Sequence, residues 1–164
     1  MSYFIIIRGA LGCGKTTVAK QLAELLHAEY VSIDEVLEKY GLDKVEQNAE
    51  CIPVENFIKA NVIVLPEVKA KLQKGRAVIF DACFYHKEPI EHLVQNLPFP
   101  HYVFTLKAPV EVCIARDRQR RKTHGEDAAR AVYSLVSQFD YGIPIDASRT
   151  LESTVNAIRS HLPQ

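Results

Sequence analysis

A glycine-rich segment near the start of the chain has the residue types and spacing that bind phosphate groups. Its sequence, Gly9-Ala-Leu-Gly-Cys-Gly-Lys-Thr-Thr17, matches the pattern G-x-x-x-x-G-K-[ST]. Glycines let the backbone turn its N–H groups around phosphate oxygens, and a helix N-terminus adds a favourable dipole. In this spacing the lysine reaches the β- and γ-phosphates of a nucleotide, and the hydroxyl coordinates Mg²⁺. The pattern predicts a nucleotide site formed by Gly9, Leu11, Gly12, Cys13, Gly14, Lys15, Thr16 and Thr17.

Two aspartates come directly after apolar segments. Asp34 follows Val31-Ser-Ile, and Asp81 follows Ala77-Val-Ile-Phe. Parallel sheets place their sites at the carboxyl ends of their strands, so both acids are candidates for chemistry. Asp81 fits a ligand of Mg²⁺, with a strand-end turn residue as the alternative. For Asp34 the alternative to a chemical role is an N-cap of the next helix, because aspartate is favoured there.

A cluster of positive charge lies in residues 116–122, Arg-Asp-Arg-Gln-Arg-Arg-Lys, which hold five basic side chains and one acid. Arg116 and Arg120 are spaced i, i+4, which predicts that they share one face of a helix. A planar guanidinium that stays charged suits a migrating phosphoryl group. The alternative is a solvated basic surface that contacts RNA.

The order of apolar segments predicts the elements that position these residues. Strand candidates alternate with helical patterns, and parallel strands need connections of that length. The pattern therefore predicts an α/β fold, a three-layer, doubly wound, parallel five-stranded sheet, in a single domain over residues 1–164. The predicted strands are 3–7, 30–33, 77–80, 102–106 and 141–145. The predicted helices are 15–27, 34–40, 53–74, 88–96, 110–121, 126–139 and 151–162.

Composition limits the classes of function. The chain has 164 residues, 20 basic and 20 acidic, so its formal net charge of zero disfavours a general nucleic-acid binder. No apolar run reaches the roughly 18 residues of a membrane span. Four scattered cysteines without a C-x-x-C pair predict free thiols in a reducing compartment, and hence a cytoplasmic protein.

Taken together, the glycine-rich segment, the two strand-end acids and the Arg116/Arg120 pair resemble the small P-loop kinases, such as shikimate, gluconate, adenylate and polynucleotide kinases. GTPase motifs (D-x-x-G at Asp81, N-K-x-D) and a transporter L-S-G-G-Q signature are missing from the sequence. A hexameric remodelling ATPase needs an added helical domain, for which 164 residues leave no room.

The resemblance implies the P-loop NTPase fold, with ATP and Mg²⁺ as cofactors. By the same resemblance, Thr16 and Asp81 hold the metal, and Asp34 is the general base for an acceptor hydroxyl. Lys15, Arg116 and Arg120 stabilise developing charge, the arginines from a lid at about residues 116–127. The expected partners are a nucleotide and a small-molecule acceptor, without nucleic acid or membrane; the oligomeric state stays open.

Three alternatives remain for the function. A nucleoside monophosphate kinase needs arginines on the acceptor side, and apart from Arg8 and Arg76 the arginines begin at position 116. A nucleic-acid 5′-hydroxyl kinase would use the same base chemistry on a larger acceptor. A nucleotide-controlled binding module would hydrolyse ATP slowly, whatever metabolite is added. Residues 24–50, with eight acids and two lysines, favour a neutral or cationic acceptor or simply form a solvated surface.

Overall fold

The computed structural model describes residues 2–45, 51–120 and 125–163. Within these ranges five strands form one sheet, and every pairing is parallel. The strands are β1 Phe4–Arg8, β2 Glu29–Ser32, β3 Val78–Ala82, β4 His101–Lys107 and β5 Ile143–Asp146. Their order is β2-β3-β1-β4-β5, so the chain switches sides of β1 after β3. A ligand crevice is expected at such a switch point, beyond the carboxyl ends of the strands.

Helices cover both faces of this sheet. They are α1 Lys15–Leu26, α2 Ile33–Lys39, α3 Val54–Gln73, α4 Lys87–Asn96, α5 Val110–Arg118, α6 Glu126–Val136 and α7 Leu151–Arg159. Alternate residues of β1 separate two cores: Phe4 and Ile6 face the core with α2, α3 and α4, and Ile5 and Ile7 face the core with α1 and α7. The three-layer, doubly wound parallel sheet predicted from the sequence is confirmed.

The register of the strands brings the candidate residues to one edge. Asp81 lies opposite Ile7 of β1 on one side and opposite Ser32 of β2 on the other. Arg8, the last residue of β1, lies opposite Thr105 of β4. The glycine-rich segment therefore leaves the sheet beside the end of β3.

Three helices end earlier than the apolar pattern predicts, at Arg118, Val136 and Arg159. The physical reason is that the last turns tighten into i→i+3 hydrogen bonds, for example from Gln119 N–H to Arg116 C=O at 3.2 Å. Beyond Val136 and Arg159, the side chains of Phe139 and Leu162 still pack on the core, which is why the apolar pattern continues past these two helices.

Two expectations from composition have a structural counterpart. The four cysteines all lie among the described residues, and none of them forms a disulfide bond; three are buried. None of the described helices has both the length and the apolar composition needed to cross a membrane.

Candidate active site

The glycine-rich segment, residues 9–17, forms a loop between β1 and α1 that we call the phosphate loop. Gly14 is the N-cap of α1 and has φ = 93°, a left-handed conformation that glycine adopts without strain. Gly12 also has a positive φ of 79°, and a Cβ added there would overlap the carbonyl oxygen of Cys113 on α5. The backbone of the loop thus lies directly against α5, so only glycine fits at position 12.

A cavity of about 350 Å³ opens at the N-terminus of α1. Its lining joins the phosphate loop to three other parts of the chain: the end of α5, the loop that follows β5 and the first turn of α7. The lining residues are Gly12, Cys13, Gly14, Lys15, Thr16, Thr17, Val18, Arg116, Arg120, Ala147, Arg149, Leu151 and Thr154. The structure therefore brings six of the eight predicted nucleotide residues to one cavity, together with both predicted arginines.

Lys15 is buried, with 5% of its surface exposed. Burial lowers the pKa of its ammonium group, but the acidic groups around it, Cys83, Asp34, Cys13 and Asp81, outweigh burial and raise the pKa above its usual value. The side chain is therefore charged at neutral pH. None of the ion pairs in the described parts of the chain involves Lys15. Its ammonium group is placed to bind an anion.

Asp81 has the environment of a metal ligand. The side chain is 1% exposed, and its Oδ2 accepts a hydrogen bond from the hydroxyl of Tyr30 at 2.6 Å. Its Oδ1 has no hydrogen-bond partner among the described residues. A buried carboxylate oxygen without a partner is costly unless a cation or a proton binds it. Together with the hydroxyl of Thr16, a half-buried residue of the phosphate loop, Asp81 makes a donor set that fits Mg²⁺, which takes few protein ligands when phosphates supply the rest.

Asp34 lies within the first turn of α2, beyond the end of β2. It does not cap this helix: the cap is Ser32, whose Oγ accepts a hydrogen bond from Glu35 N–H at 3.2 Å. The alternative that Asp34 is an N-cap is therefore wrong, because the shorter Ser32 occupies that position two residues earlier. The Asp34 carboxylate is left to point toward Lys15 and Cys83.

The surroundings of Asp34 combine burial with charge. Burial raises its pKa, the charge of Lys15 lowers it, and Asp81 adds to the increase, so that the pKa stands above its usual value. The thiol of Cys83 donates to Asp34 Oδ2 at 3.8 Å. Burial raises the pKa of Cys83 to about 12, which keeps this thiol protonated. Asp34 thus has a raised proton affinity, as a group that accepts a proton requires.

Arg116 and Arg120 both line the cavity, but they do not share a helix face. The helix α5 ends at Arg118, and Arg120 lies in the tightened turn beyond it. The prediction of one continuous face is wrong for that reason. Arg116 donates to the carbonyl oxygens of Ala147 at 2.7 Å and Cys13 at 3.4 Å, and so bridges the phosphate loop and the loop after β5. The guanidinium Nη1 of Arg120 lies 3.7 Å from Oδ1 of Asp117, and the Arg120 side chain is about half exposed.

Some predicted features lie outside the described residues. These are positions 121–124 of the lid, including Arg121 and Lys122, and positions 46–50 of the acidic stretch. At the described end of the lid, Arg118 pairs with Glu126 at 2.7 Å and points to the outer surface.

Two groups important to the site escaped sequence reasoning. The hydroxyl of Tyr30, whose bond to Asp81 is described above, gave no signal, since tyrosine is ordinary in a strand. Arg8 ends β1, where it is fully buried and donates to the carbonyl oxygens of Phe84, Val136 and Phe139. An arginine closing an otherwise apolar strand was the one available hint.

Similarity to known proteins agrees with this geometry. A family model described as an AAA domain matches residues 4–139. No curated protein shows a significant match.

Solved structures with this fold include several kinases. A sugar kinase from Janibacter sp. HTCC2649 has a TM-score of 0.81 at 16% identity, over 98% of this chain and 94% of that one. A gluconokinase from Sinorhizobium meliloti 1021 has a TM-score of 0.64 at 13% identity, over 93% and 86%. A shikimate kinase from Aquifex aeolicus has a TM-score of 0.59 at 19% identity, over 96% of both chains. At these identities the likeness is one of fold.

Proposed function

The chain belongs to the AAA domain family, with the fold of small P-loop kinases, and we propose that it transfers the γ-phosphoryl group of ATP to a hydroxyl of a small-molecule acceptor. The observation that carries this proposal is the pair of carboxylates beside Lys15. Asp34 and Asp81 both act on the buried ammonium group, but they differ in their partners. Asp81 is hydrogen-bonded by Tyr30, and Asp34 by Cys83. Two acids in different environments suit two tasks, metal binding and proton transfer.

The residues of the phosphate loop would bind and orient ATP. Lys15 would contact the β- and γ-phosphates, and the backbone N–H groups at the start of α1 would donate to phosphate oxygens. Thr16 and Asp81 would hold Mg²⁺, which when bound neutralises charge on the β- and γ-phosphate oxygens. Arg116 fixes the loop after β5 against the phosphate loop, so that the cavity keeps its shape around the nucleotide.

Asp34 would orient the acceptor and receive its proton. Phosphoryl transfer has a loose transition state, so the hydroxyl loses its proton late and the base acts mainly by position. As the acceptor oxygen bonds to the γ-phosphorus, the bond to the β-phosphate oxygen breaks and ADP leaves. The hydroxyl proton passes to the Asp34 carboxylate, whose raised pKa favours this transfer.

The positions of the early arginines favour an acceptor with a hydroxyl group over one with a phosphate group. A phosphate acceptor needs arginines on the acceptor side, and the early arginines of the chain are engaged elsewhere. Arg8 is buried among carbonyl groups, and Arg76 pairs with Glu29 at 3.3 Å. A nucleoside monophosphate kinase is therefore the weaker candidate.

The direct test is a screen of hydroxyl compounds for stimulated ADP release by the purified protein. The screen includes neutral and cationic metabolites, nucleoside monophosphates and an oligonucleotide with a 5′-hydroxyl. We expect one class of small hydroxyl compound to stimulate release and to appear as its phosphate ester. Lys15→Ala should lower this turnover by about 10²–10³-fold, the effect of one preorganised electrostatic donor. The exposed Lys69→Ala on α3, away from the site, is the matched control and should keep it.

Other outcomes would contradict the proposal. Stimulation by the monophosphates or by the oligonucleotide alone would assign the acceptor to that class. Slow ADP release that no compound changes would favour the nucleotide-controlled binding module. If the folded Lys15→Ala variant were as active as the native protein, the active site would lie elsewhere than at the phosphate loop.

A further inference from the structure

Only one of the two carboxylate oxygens of Asp81 has a hydrogen-bond partner among the described residues. Its Oδ2 is bound by the Tyr30 hydroxyl at 2.6 Å, a short distance typical of a hydrogen bond to a charged acceptor. Its Oδ1 has no partner among the described residues. A carboxylate held at one oxygen has lost the freedom to rotate, and the other oxygen keeps a fixed direction.

The strand register explains how Tyr30 reaches this carboxylate. On β2, Tyr30 pairs with Ile79 and Ser32 pairs with Asp81, so Tyr30 lies two residue pairs before Asp81 and, because side chains alternate along a strand, on the same face of the sheet. A tyrosine is long enough to span that step with its hydroxyl. The ring packs on the core beneath α1, and the ammonium group of Lys20 lies 5.7 Å from the ring centroid. These contacts fix the direction of the hydroxyl.

Lys15 makes this restraint important. The buried ammonium group is close enough to Asp81 for its pKa to be raised by that carboxylate. A mobile carboxylate beside a buried ammonium group would form an ion pair with it. The carboxylate could then not bind the metal, and the ammonium group could not bind the phosphates. Yet none of the ion pairs within 4.0 Å in the described ranges joins the two. The Tyr30 hydroxyl is the group that holds the carboxylate in place.

We propose that Tyr30 is a positioning residue for the magnesium ion: its hydroxyl binds Oδ2 of Asp81 and thereby directs Oδ1 to the metal. This inference rests on the proposed function, in which ATP binds with Mg²⁺ at this site. Groups that hydrogen-bond a metal-binding carboxylate fix its orientation, and their loss typically weakens metal affinity by about 10–100-fold. The hydroxyl of Tyr30 should therefore increase the affinity for Mg²⁺ without changing the affinity for the metal-free nucleotide.

The test is Tyr30→Phe, which removes one oxygen and keeps the ring. Calorimetry measures the affinity for a nonhydrolysable ATP analogue in EDTA and across a series of Mg²⁺ concentrations. We expect the affinity in EDTA to stay within about two-fold of the native value. The Mg²⁺ concentration that gives half of the affinity gain should rise about 10–100-fold.

Two further variants make the result decisive. Tyr102→Phe removes a hydroxyl from another half-buried strand tyrosine, whose ring packs on Tyr3, and should keep the native Mg²⁺ curve. Asp81→Asn should lose the Mg²⁺ response, as the metal ligand itself. A native Mg²⁺ curve for Tyr30→Phe, with the response lost in Asp81→Asn, would overturn the role of Tyr30 and leave the proposed function standing.

The remaining outcomes also discriminate. If Tyr30→Phe weakens binding equally in EDTA and in Mg²⁺, the hydroxyl supports the loop and the inference fails. If the native protein does not bind the analogue under any condition, the proposed function fails and the inference fails with it.

Discussion

The Nε of Arg8 donates a hydrogen bond to the carbonyl oxygen of Phe84 at 3.2 Å, which joins the strand before the phosphate loop to the loop after Asp81. Phe84 needs such support, because its φ of 38° is unusual for a residue other than glycine. The other guanidinium nitrogens bind Val136 C=O at 3.0 Å and Phe139 C=O at 3.3 Å, at the end of α6. One buried cation thus connects the sheet, the loop beside Asp34 and the helix that follows the lid.

Arg8→Met should destabilise the protein while keeping most of the side-chain volume. Each buried carbonyl left unsatisfied costs about 1–3 kcal/mol, and removing the buried charge offsets part of the loss. We expect the free energy of unfolding to fall by about 2–4 kcal/mol, as measured by urea denaturation. Arg159→Met, on the exposed end of α7, is the control and should change it little. A loss of less than about 1 kcal/mol for Arg8→Met would show that the carbonyl groups find other partners.

Two glycines of the phosphate loop should respond differently to a methyl group. Gly14→Ala places a Cβ in open space and adds only left-handed strain, which costs about 1–2 kcal/mol. Gly12→Ala adds the same strain and also an overlap with the Cys113 carbonyl, so that the loop and α5 must separate. We expect the larger fall in melting temperature for Gly12→Ala in thermal denaturation. Equal falls would mean that α5 moves aside without cost.

The local parts of the site could be predicted from the sequence, and the long-range parts could not. The phosphate loop and Asp81 depend on short segments whose spacing determines their geometry. The bond between Tyr30 and Asp81 spans 51 positions, and that between Arg8 and Val136 spans 128. Such bonds depend on strand register and on the direction of single side chains, which no periodicity records.

The cap of α2 illustrates the same limit at short range. The sequence pattern points only to Asp34 as a possible N-cap, although serine, the residue at position 32, is favoured there as well. The strand ends at Ser32, so the serine takes the cap and Asp34 is directed inward. A difference of two residues in the start of the helix, within the usual uncertainty of a sequence pattern, decides between a capping and a chemical role.

Asp34 should determine the acidic side of the pH profile of transfer. The base must be ionised to receive a proton, so kcat/KM for the acceptor falls as the pH drops through the pKa of Asp34. Because burial raises this pKa above its usual value of 3.8, the fall should be centred at a pH above 3.8. The measurement is kcat/KM for the acceptor over a pH series with saturating ATP.

Asp34→Asn tests the assignment of that pH dependence. The variant should lose transfer, by at least about 10²-fold, while its affinity for ATP stays within a few-fold. The exposed Glu35→Gln on the same helix is the matched control and should keep both rate and profile. If ATP affinity and transfer fall together, Asp34 belongs to the metal site; if neither changes, another group is the base.

Variants at Arg118 and Arg120 can distinguish a catalytic lid from a basic surface that binds RNA. Arg120 lines the cavity at the phosphate loop, whereas Arg118 on the outer surface is bound to Glu126 at 2.7 Å. Arg120→Ala should therefore lower phosphoryl transfer far more than Arg118→Ala, because only the first removes charge near the phosphates. An RNA-binding surface would treat the two cations alike, each loss reducing the salt dependence of binding by about one unit. Transfer and RNA retention are measured for both variants across a salt series. Equal small losses of RNA binding, with transfer intact in both, would contradict the lid.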